Sequence, residues 1–202
     1  GKFIESSNDQ AAKEAAAFEI ISKSNQIDSD IKKYEKVLAS NKILLGEVAL
    51  MSYSKNENKS YGQELLKKQS DLKAVKGGFA IYRDQTLKAI ANHGASIGKM
   101  TLESDASKKD YQRRLTKDIQ DRAKALKKAE EMAAEAIKSK DWSLQIVSLD
   151  ILAKESERFY SELLSLPMPD QLSPEEQNEY MRLLGEQSAP YKQKADEAKA
   201  KV

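Results

Sequence analysis

Residue types that carry out most enzyme chemistry are scarce in this chain. It has 202 residues, a single histidine and no cysteine, so a thiolate nucleophile, a disulfide framework and a cysteine-type zinc site are excluded. His93 lies on an apolar helical stripe next to Gly94, and no serine or cysteine nucleophile motif accompanies it. We therefore expect His93 to pack or to cap a helix end rather than to catalyse.

Two acidic clusters are further candidates for a metal or acid–base site. They are Glu130, Glu131 and Glu135, and Glu175, Glu176 and Glu179. A carboxylate site in a helical protein needs acids that converge from facing helices, usually with a Glu-x-x-His motif, which this sequence lacks. We expect the first cluster to form a solvated helix face and the second to stabilise a helix start. We predict no metal, no cofactor and no enzymatic activity.

A basic stretch between residues 108 and 128 could bind an anionic partner. Its cations are Lys108, Lys109, Arg113, Arg114, Lys117, Arg122, Lys124, Lys127 and Lys128. Each of three aspartates, Asp110, Asp118 and Asp121, lies four residues from one of these cations and should neutralise part of the face. The interpretations are a solvated face, which we favour, a docking surface for an acidic protein, or a site for nucleic acid or anionic lipid. Nucleic-acid modules usually add stacking aromatics, so we predict no nucleic acid.

Composition and charge limit the class of protein. Aromatic residues make up 6% and charged residues 33% of the chain, which favours a thin core in an elongated helical array. The net charge is +2, although residues 61–140 carry 18 basic and 11 acidic side chains, and residues 141–202 carry 7 and 12. No apolar run approaches the roughly 20 residues that cross a bilayer, so we predict no membrane span.

Apolar residues recur at helical spacing along the chain, and the alternating pattern of strands is absent. We predict about six helices, over residues 9–22, 30–53, 59–93, 108–137, 142–166 and 174–195. The polar stretch 54–60 and residues 94–107 are predicted loops, with Gly94 ending the third helix. Gly77 and Gly78 should mark a kink, which we favour, or a close approach of another helix. Pro190 should interrupt or bend the last helix.

The fifth and sixth predicted helices carry the sharpest signals. Apolar residues surround most of the helix from Trp142 to Leu166, so this helix should lie between the fourth and sixth helices. Packed residues should include Trp142, Ile146, Leu149, Phe159 and Tyr160. Ser173, Pro174 and Glu176 then form a predicted capping box.

The last quarter of the chain resembles the helical tail of tetratricopeptide-type proteins of bacterial cell envelopes. The residues that carry the resemblance are Trp142, Phe159-Tyr160, Leu166-Pro167-Met168-Pro169, Leu172-Ser173-Pro174-Glu175-Glu176, Tyr180, Leu184, Pro190 and Lys194-Ala195. The resemblance implies a binding scaffold and a periplasmic or envelope location, with the cytoplasm as the alternative. Upstream, the sequence has neither a clean 34-residue period nor the repeated Gly-Tyr-Ala signature.

The sequence predicts an all-α, elongated array of helical hairpins, a tetratricopeptide-like solenoid, in one domain over residues 1–202. Residues 142–202 are its tetratricopeptide-like tail. The expected function is non-catalytic protein binding as a scaffold or adaptor, with a partner that is acidic if it uses the basic stretch. The alternatives are a coiled-coil oligomerisation element and a helical cell-wall hydrolase. Candidate partner-binding residues are Tyr34, Tyr61, Tyr82, Arg113 and Arg114.

Overall fold

The structure is a computed structural model and describes residues 4, 8–56, 59–169 and 172–202. All regular elements over these residues are helical, which confirms the all-α class. They are α1 (Gln10–Ser22), α2 (Ile27–Leu38), α3 (Lys42–Asn56), α4 (Tyr61–Lys68), the 3₁₀ helix η1 (Ser70–Ala74), α5 (Lys76–Gly98), α6 (Tyr111–Lys138), α7 (Trp142–Leu164) and α8 (Pro174–Lys199). The predicted count of about six is therefore wrong, because the described residues contain eight α-helices.

The chain divides into two compact units, Gly1–Gln85 and Thr86–Val202, called unit 1 and unit 2. The boundary falls within α5. The prediction of one domain over residues 1–202 stays a prediction.

Two predicted helices of unit 1 are broken. A turn at residues 39–41 separates α2 from α3, and there the Asn41 side chain accepts the backbone N–H of Leu44 at 3.1 Å. The helix predicted over 59–93 ends at Lys68 because Gln69 leaves helical geometry with φ −126° and ψ 85°. Its remainder forms η1 and the start of α5. Of the predicted loop 54–60, residues 54–56 continue α3, and residues 57 and 58 lie outside the described part of the chain.

Glycines allow the helices of unit 1 to approach closely. A Cβ atom on Gly77 would lie 2.2 Å from the carbonyl oxygen of Gly46 in α3. A Cβ atom on Gly62 would lie 1.9 Å from the carbonyl oxygen of Ala49. Because no side chain fits such gaps, Gly77 serves close packing, which was the less favoured of the two predictions. It lies in the first turn of α5. Fully buried side chains of unit 1 include Ile21, Ile31, Leu38, Leu45, Leu65, Leu72 and Ile81.

Unit 2 is built around α7, which packs against both α6 and α8, as predicted. Its buried residues include Ile97, Leu126, Ala133, Leu149, Phe159 and Leu163. Two predicted core residues are instead exposed, Trp142 by 72% and Ile146 by 42%. The predicted stop at Gly94 is wrong because α5 continues to Gly98. Pro190 does not interrupt the last helix, since α8 runs through it, and a bend at Pro190 stays a prediction.

The capping box at the start of α8 is confirmed. The Ser173 hydroxyl accepts the backbone N–H of Glu176, and the Glu176 carboxylate accepts the backbone N–H of Ser173 at 2.8 Å. No helix among the described residues combines the length and the apolar character needed to cross a membrane.

Candidate protein-binding surface

Two arginines hold the C-terminal end of α5 against α6 and α7. The Arg122 guanidinium of α6 donates to the carbonyl oxygens of Ile97, at 3.1 Å, and Met100. Arg158 of α7 donates to the same two oxygens, at 2.8 and 3.1 Å. Both arginines also pair with Glu155, at 2.9 and 3.0 Å. Carbonyl groups at the end of a helix lack partners within that helix, so the arginines satisfy them from neighbouring helices.

Arg122 is almost completely buried, with 1% of its side chain exposed. Burial is the main cause that lowers the pKa of this guanidinium, followed by repulsion from Arg158. The guanidinium carbon lies 5.8 Å from the centre of the Phe159 ring, a distance compatible with a cation–π contact. The arrangement fixes three helices of unit 2 relative to one another.

A small apolar cleft opens between α6, α7 and α8. Its volume is about 180 Å³, and its lining residues are Glu130, Ala133, Ala134, Ile137, Leu149, Leu152, Lys194, Glu197, Ala198 and Lys201. The floor is aliphatic, and the Lys194 ammonium donates to the Glu130 carboxylate at the rim. A dry cavity of about 150 Å³ accommodates a benzene ring, whereas cofactors and drug-sized ligands need about 300 Å³ or more. The cleft is therefore sized for one apolar side chain.

Exposed apolar side chains precede the cleft-lining Leu149 along α7. Ile146 and Trp142 precede Leu149 by three and seven residues on α7, so all three lie near one face of the helix. Leu149 is 4% exposed, whereas Trp142 is 72% exposed. Ile137 of α6, which lines the cleft, is 41% exposed. We call Ile137, Trp142, Ile146 and the cleft the apolar shelf.

The predicted partner-binding residues divide between the two units. Tyr34 and Tyr61 are each 6% exposed and belong to the core of unit 1, and Tyr82 packs against that core. Arg113 and Arg114 are exposed on α6 of unit 2. Burial of Tyr34 and Tyr61 leaves little of either ring for a partner. A binding role for these five residues stays a prediction.

Tyr61 is the centre of a polar cluster. Its hydroxyl donates to Glu35 and accepts from the Lys68 ammonium at 3.2 Å. Burial, followed by the Glu35 carboxylate, raises the pKa of the Tyr61 hydroxyl. The ammonium groups of Lys32 and Lys68 each lie 4.8 Å from the centre of the ring. The hydroxyl and the ring of Tyr61 are thus both engaged within unit 1, which indicates a packing role.

The remaining chemical candidates have structural partners. His93 is half-buried, and its Nε2 lies 2.9 Å from the carbonyl oxygen of Ala125, to which it can donate. Glu14, which the sequence analysis did not single out, is 8% exposed and accepts from Gln10, Ser40 and Asn41. Among the described residues, no three His, Cys, Asp or Glu side chains are grouped as metal ligands.

No protein-family model, curated protein or solved structure matches this chain.

Sequence reasoning missed two features of the site. Arg122 was grouped with the exposed cations, although it follows Ile119 by three residues and precedes Leu126 by four. That spacing places it on the buried face of α6 and could have identified it. The exposure of Trp142 had no signal in the sequence, because it depends on where the neighbouring helices end.

Proposed function

We propose that this chain is a non-catalytic protein-binding module and that the apolar shelf of unit 2 is its docking surface. The observation that carries the proposal is the 72% exposure of Trp142 and the 42% exposure of Ile146, at a helical spacing from Leu149, which lines the apolar cleft. Tryptophan is strongly enriched among the few residues that dominate the energy of protein interfaces. Large exposed apolar side chains grouped on one face of a soluble protein commonly mark an interaction site.

The size of Trp142 sets the energy available to a partner. A tryptophan side chain presents up to about 250 Å², so a 72% exposed ring leaves about 180 Å² for a partner to cover. At about 25 cal/mol per Å², covering it corresponds to roughly 4 kcal/mol. This is within the range of a dominant interface residue.

A tetratricopeptide-like array is the fold we propose to accompany this function. In unit 1 the helices α1, α2, α3, α4 and α5 begin at residues 10, 27, 42, 61 and 76. Alternate helices therefore begin 32, 34 and 34 residues apart, close to the 34-residue period of tetratricopeptide repeats. The spacing appears in the helices rather than as a repeated sequence signature. An envelope scaffold or adaptor role remains part of the proposal through the resemblance of residues 142–202.

The alternatives are less well supported. A coiled-coil element would need its apolar stripes for pairing between chains, but Ile31, Leu38, Leu45 and Val48 are fully buried within unit 1. A hydrolase would use a desolvated acid with a raised pKa. In buried Glu14, hydrogen bonds from Ser40, then from other neighbours, lower the pKa of the carboxyl.

Site-specific photo-crosslinking tests the proposal. A photoreactive amino acid at Ile146, introduced into the full chain in its native cell, should give an adduct of defined mass. Trp142→Ala in the same chain should remove that adduct. The matched control places the crosslinker at Lys154, a 71% exposed position on another face of α7, where no such adduct is expected. An adduct that is equally strong with Trp142→Ala would refute the assignment of the apolar shelf.

Stability measurements separate binding from folding. Trp142→Ala should cost less than about 2 kcal/mol of unfolding free energy, because only about 70 Å² of the ring is covered. Leu149→Ala, on the same face but buried, should cost about 2 to 5 kcal/mol. A loss below about 0.5 kcal/mol for Leu149→Ala would contradict the packing of α7 between its neighbours.

A further inference from the structure

A row of cations follows the exposed face of α6. Arg114, Lys117, Lys124 and Lys128 are separated by three, seven and four residues, a spacing that places them near one face of a helix. All four are exposed. Within the part of the chain that the structure describes, none of them has an ion pair or a side-chain hydrogen bond. We call these four residues the basic stripe.

Two of the aspartates expected to neutralise this face make other contacts. Asp118 accepts the backbone N–H of Glu103 at 3.0 Å, and Asp110 pairs with Arg113 at 3.1 Å. Neither aspartate therefore forms an ion pair with the cation four residues away, and the expectation that they neutralise part of the face stays a prediction. Asp121 is the one acid left between Lys117 and Lys124 on this face. Within the described residues, the four cations of the stripe therefore have no carboxylate partner that a ligand would have to displace.

The stripe combines positive charge with a shallow apolar groove. The groove beside it is lined by Met100, Asp121, Lys124, Ala125, Lys127, Lys128 and Glu131. Met100 and Ala125 form its apolar part. From Arg114 to Lys128 the stripe extends about 21 Å, at about 1.5 Å per residue. This length corresponds to about four turns of a helix lying alongside α6.

We propose that the basic stripe binds an acidic amphipathic helix of a protein partner. Carboxylates on that helix at spacings of three, four and seven residues would face the four cations, and an apolar side chain would cover Met100 and Ala125. The inference rests on the proposed protein-binding function, but it concerns a different face of unit 2 from the apolar shelf.

The chemistry of the stripe favours a protein over other anions. Asp121 lies within the stripe and Glu131 at its end. A continuous phosphate backbone would place charge opposite both acids, whereas carboxylates on a helix can be spaced to face only the cations. Single-stranded nucleic acid would also require aromatic platforms for its bases, and the stripe and its groove contain none. No large exposed apolar side chain precedes Ile137 on α6, so α6 lacks the apolar face with which an interfacial helix enters a membrane.

Fluorescence anisotropy with the full chain tests the inference. The probe is a labelled helical peptide with glutamates at the spacings of the stripe and leucines on the adjacent positions, and its control carries glutamine in place of each glutamate. We expect the glutamate peptide to bind about tenfold more tightly, as three or four exposed ion pairs allow. Its affinity should fall as salt is raised from 50 to 200 mM, because exposed pairs are screened.

Two variants with equal net charge locate the binding. Lys117→Gln/Lys124→Gln/Lys128→Gln should weaken glutamate-peptide binding about tenfold. The control Lys23→Gln/Lys36→Gln/Lys154→Gln removes three other exposed cations and should leave it unchanged. Equal binding by the two variants would overturn the inference and assign the stripe to plain solvent exposure.

Two further probes separate the other polyanions. A random 20-base-pair DNA duplex or vesicles containing anionic lipid should bind more weakly than the glutamate peptide at physiological salt. Stripe-dependent binding of either probe that exceeds peptide binding would overturn the inference. Trp142→Ala should not change peptide binding, so failure of the apolar shelf and failure of the stripe give different results.

Discussion

Arg122 and Arg158 share their main acceptors, and this sharing predicts how unit 2 responds to losing them. If Arg122 is replaced by methionine, the carbonyl oxygens of Ile97 and Met100 still accept from Arg158 at 2.8 and 3.1 Å. Glu155 also keeps Arg158 at 3.0 Å. The single substitution therefore leaves none of these acceptors without a partner, and it relieves the repulsion between two neighbouring cations.

The expected loss of unfolding free energy follows from the number of acceptors that lose a partner in each variant. Arg122→Met and Arg158→Met should each lower the unfolding free energy by about 1 to 2 kcal/mol, the net contribution of hydrogen bonds from a charged group. In the double variant, two carbonyl oxygens and the Glu155 carboxylate, 17% exposed, lose their arginine partners together. Unsatisfied buried acceptors cost about 1 to 3 kcal/mol each. The double variant should therefore lose about 1 to 3 kcal/mol more than the sum of the singles, a coupling typical of shared networks.

Urea unfolding of the wild-type chain, the two single variants and the double variant, monitored by circular dichroism, measures this coupling. Hydrogen exchange of peptides from α6 and α7 then localises the effect to unit 2. Arg113→Met is the control, because the Arg113 side chain is 79% exposed, and it should change stability by less than about 0.5 kcal/mol. If the costs of the two single variants add within about 0.5 kcal/mol, the shared network is not what holds the end of α5.

Two further predictions concern Gly77 and Glu14 of unit 1, with Gly185 of unit 2 as a comparison. Gly77→Ala should destabilise the chain by about 1 to 3 kcal/mol, because its Cβ would lie 2.2 Å from a backbone oxygen of α3. At Gly185 an added Cβ would have no atom within 4 Å, so Gly185→Ala should stabilise the chain by about 0.4 to 1 kcal/mol. Urea unfolding measures both changes. Hydrogen bonds from Ser40 and Asn41 lower the pKa of the Glu14 carboxyl in the folded chain. The stability that ionised Glu14 contributes is therefore fully present above its unfolded pKa near 4.3, and it disappears as the pH falls through the lower pKa of the folded chain. Glu14→Gln should therefore lower the urea midpoint at pH 7 and flatten its acid dependence; an unchanged acid dependence would contradict this role.

Sequence reasoning succeeded where a local signal decides the structure. The start of α8 was predictable because Ser173 and Glu176 satisfy each other's backbone groups over three residues. The position of α7 between two helices was predictable from apolar residues around most of its circumference. Both inferences need only short-range spacing.

Sequence reasoning failed where a turn between two helices leaves the spacing of the buried apolar residues unchanged. Leu38 and Leu45 are both fully buried on either side of the turn at residues 39–41, so their spacing of seven resembles one continuous helix. Leu72 in η1 is also fully buried, which hides the interruption between α4 and α5. Periodicity reports which side chains face the core, and a tight turn can preserve that pattern.

The candidate site was less predictable because it depends on relations between helices. Arg122 and Lys124 are both cations two residues apart, so their charge did not indicate that Arg122 is buried and Lys124 exposed. The apolar shelf arises because α7 places Trp142 beyond the part of its face that its neighbours cover, which no local pattern encodes.

The two proposed surfaces together explain how one small unit could act as a scaffold rather than as a simple binder. On α6, Lys124 of the basic stripe and Ala133 of the cleft are nine residues apart, which is about half a turn around the helix axis at 3.6 residues per turn. A partner on one surface would therefore leave the opposite face of α6 uncovered. Arg122 lies eleven residues before Ala133, on the same side of α6 as the cleft, so its contacts to Ile97, Met100 and Glu155 hold α6 on the side away from the basic stripe. Simultaneous occupancy of opposite faces is the property that a scaffold requires.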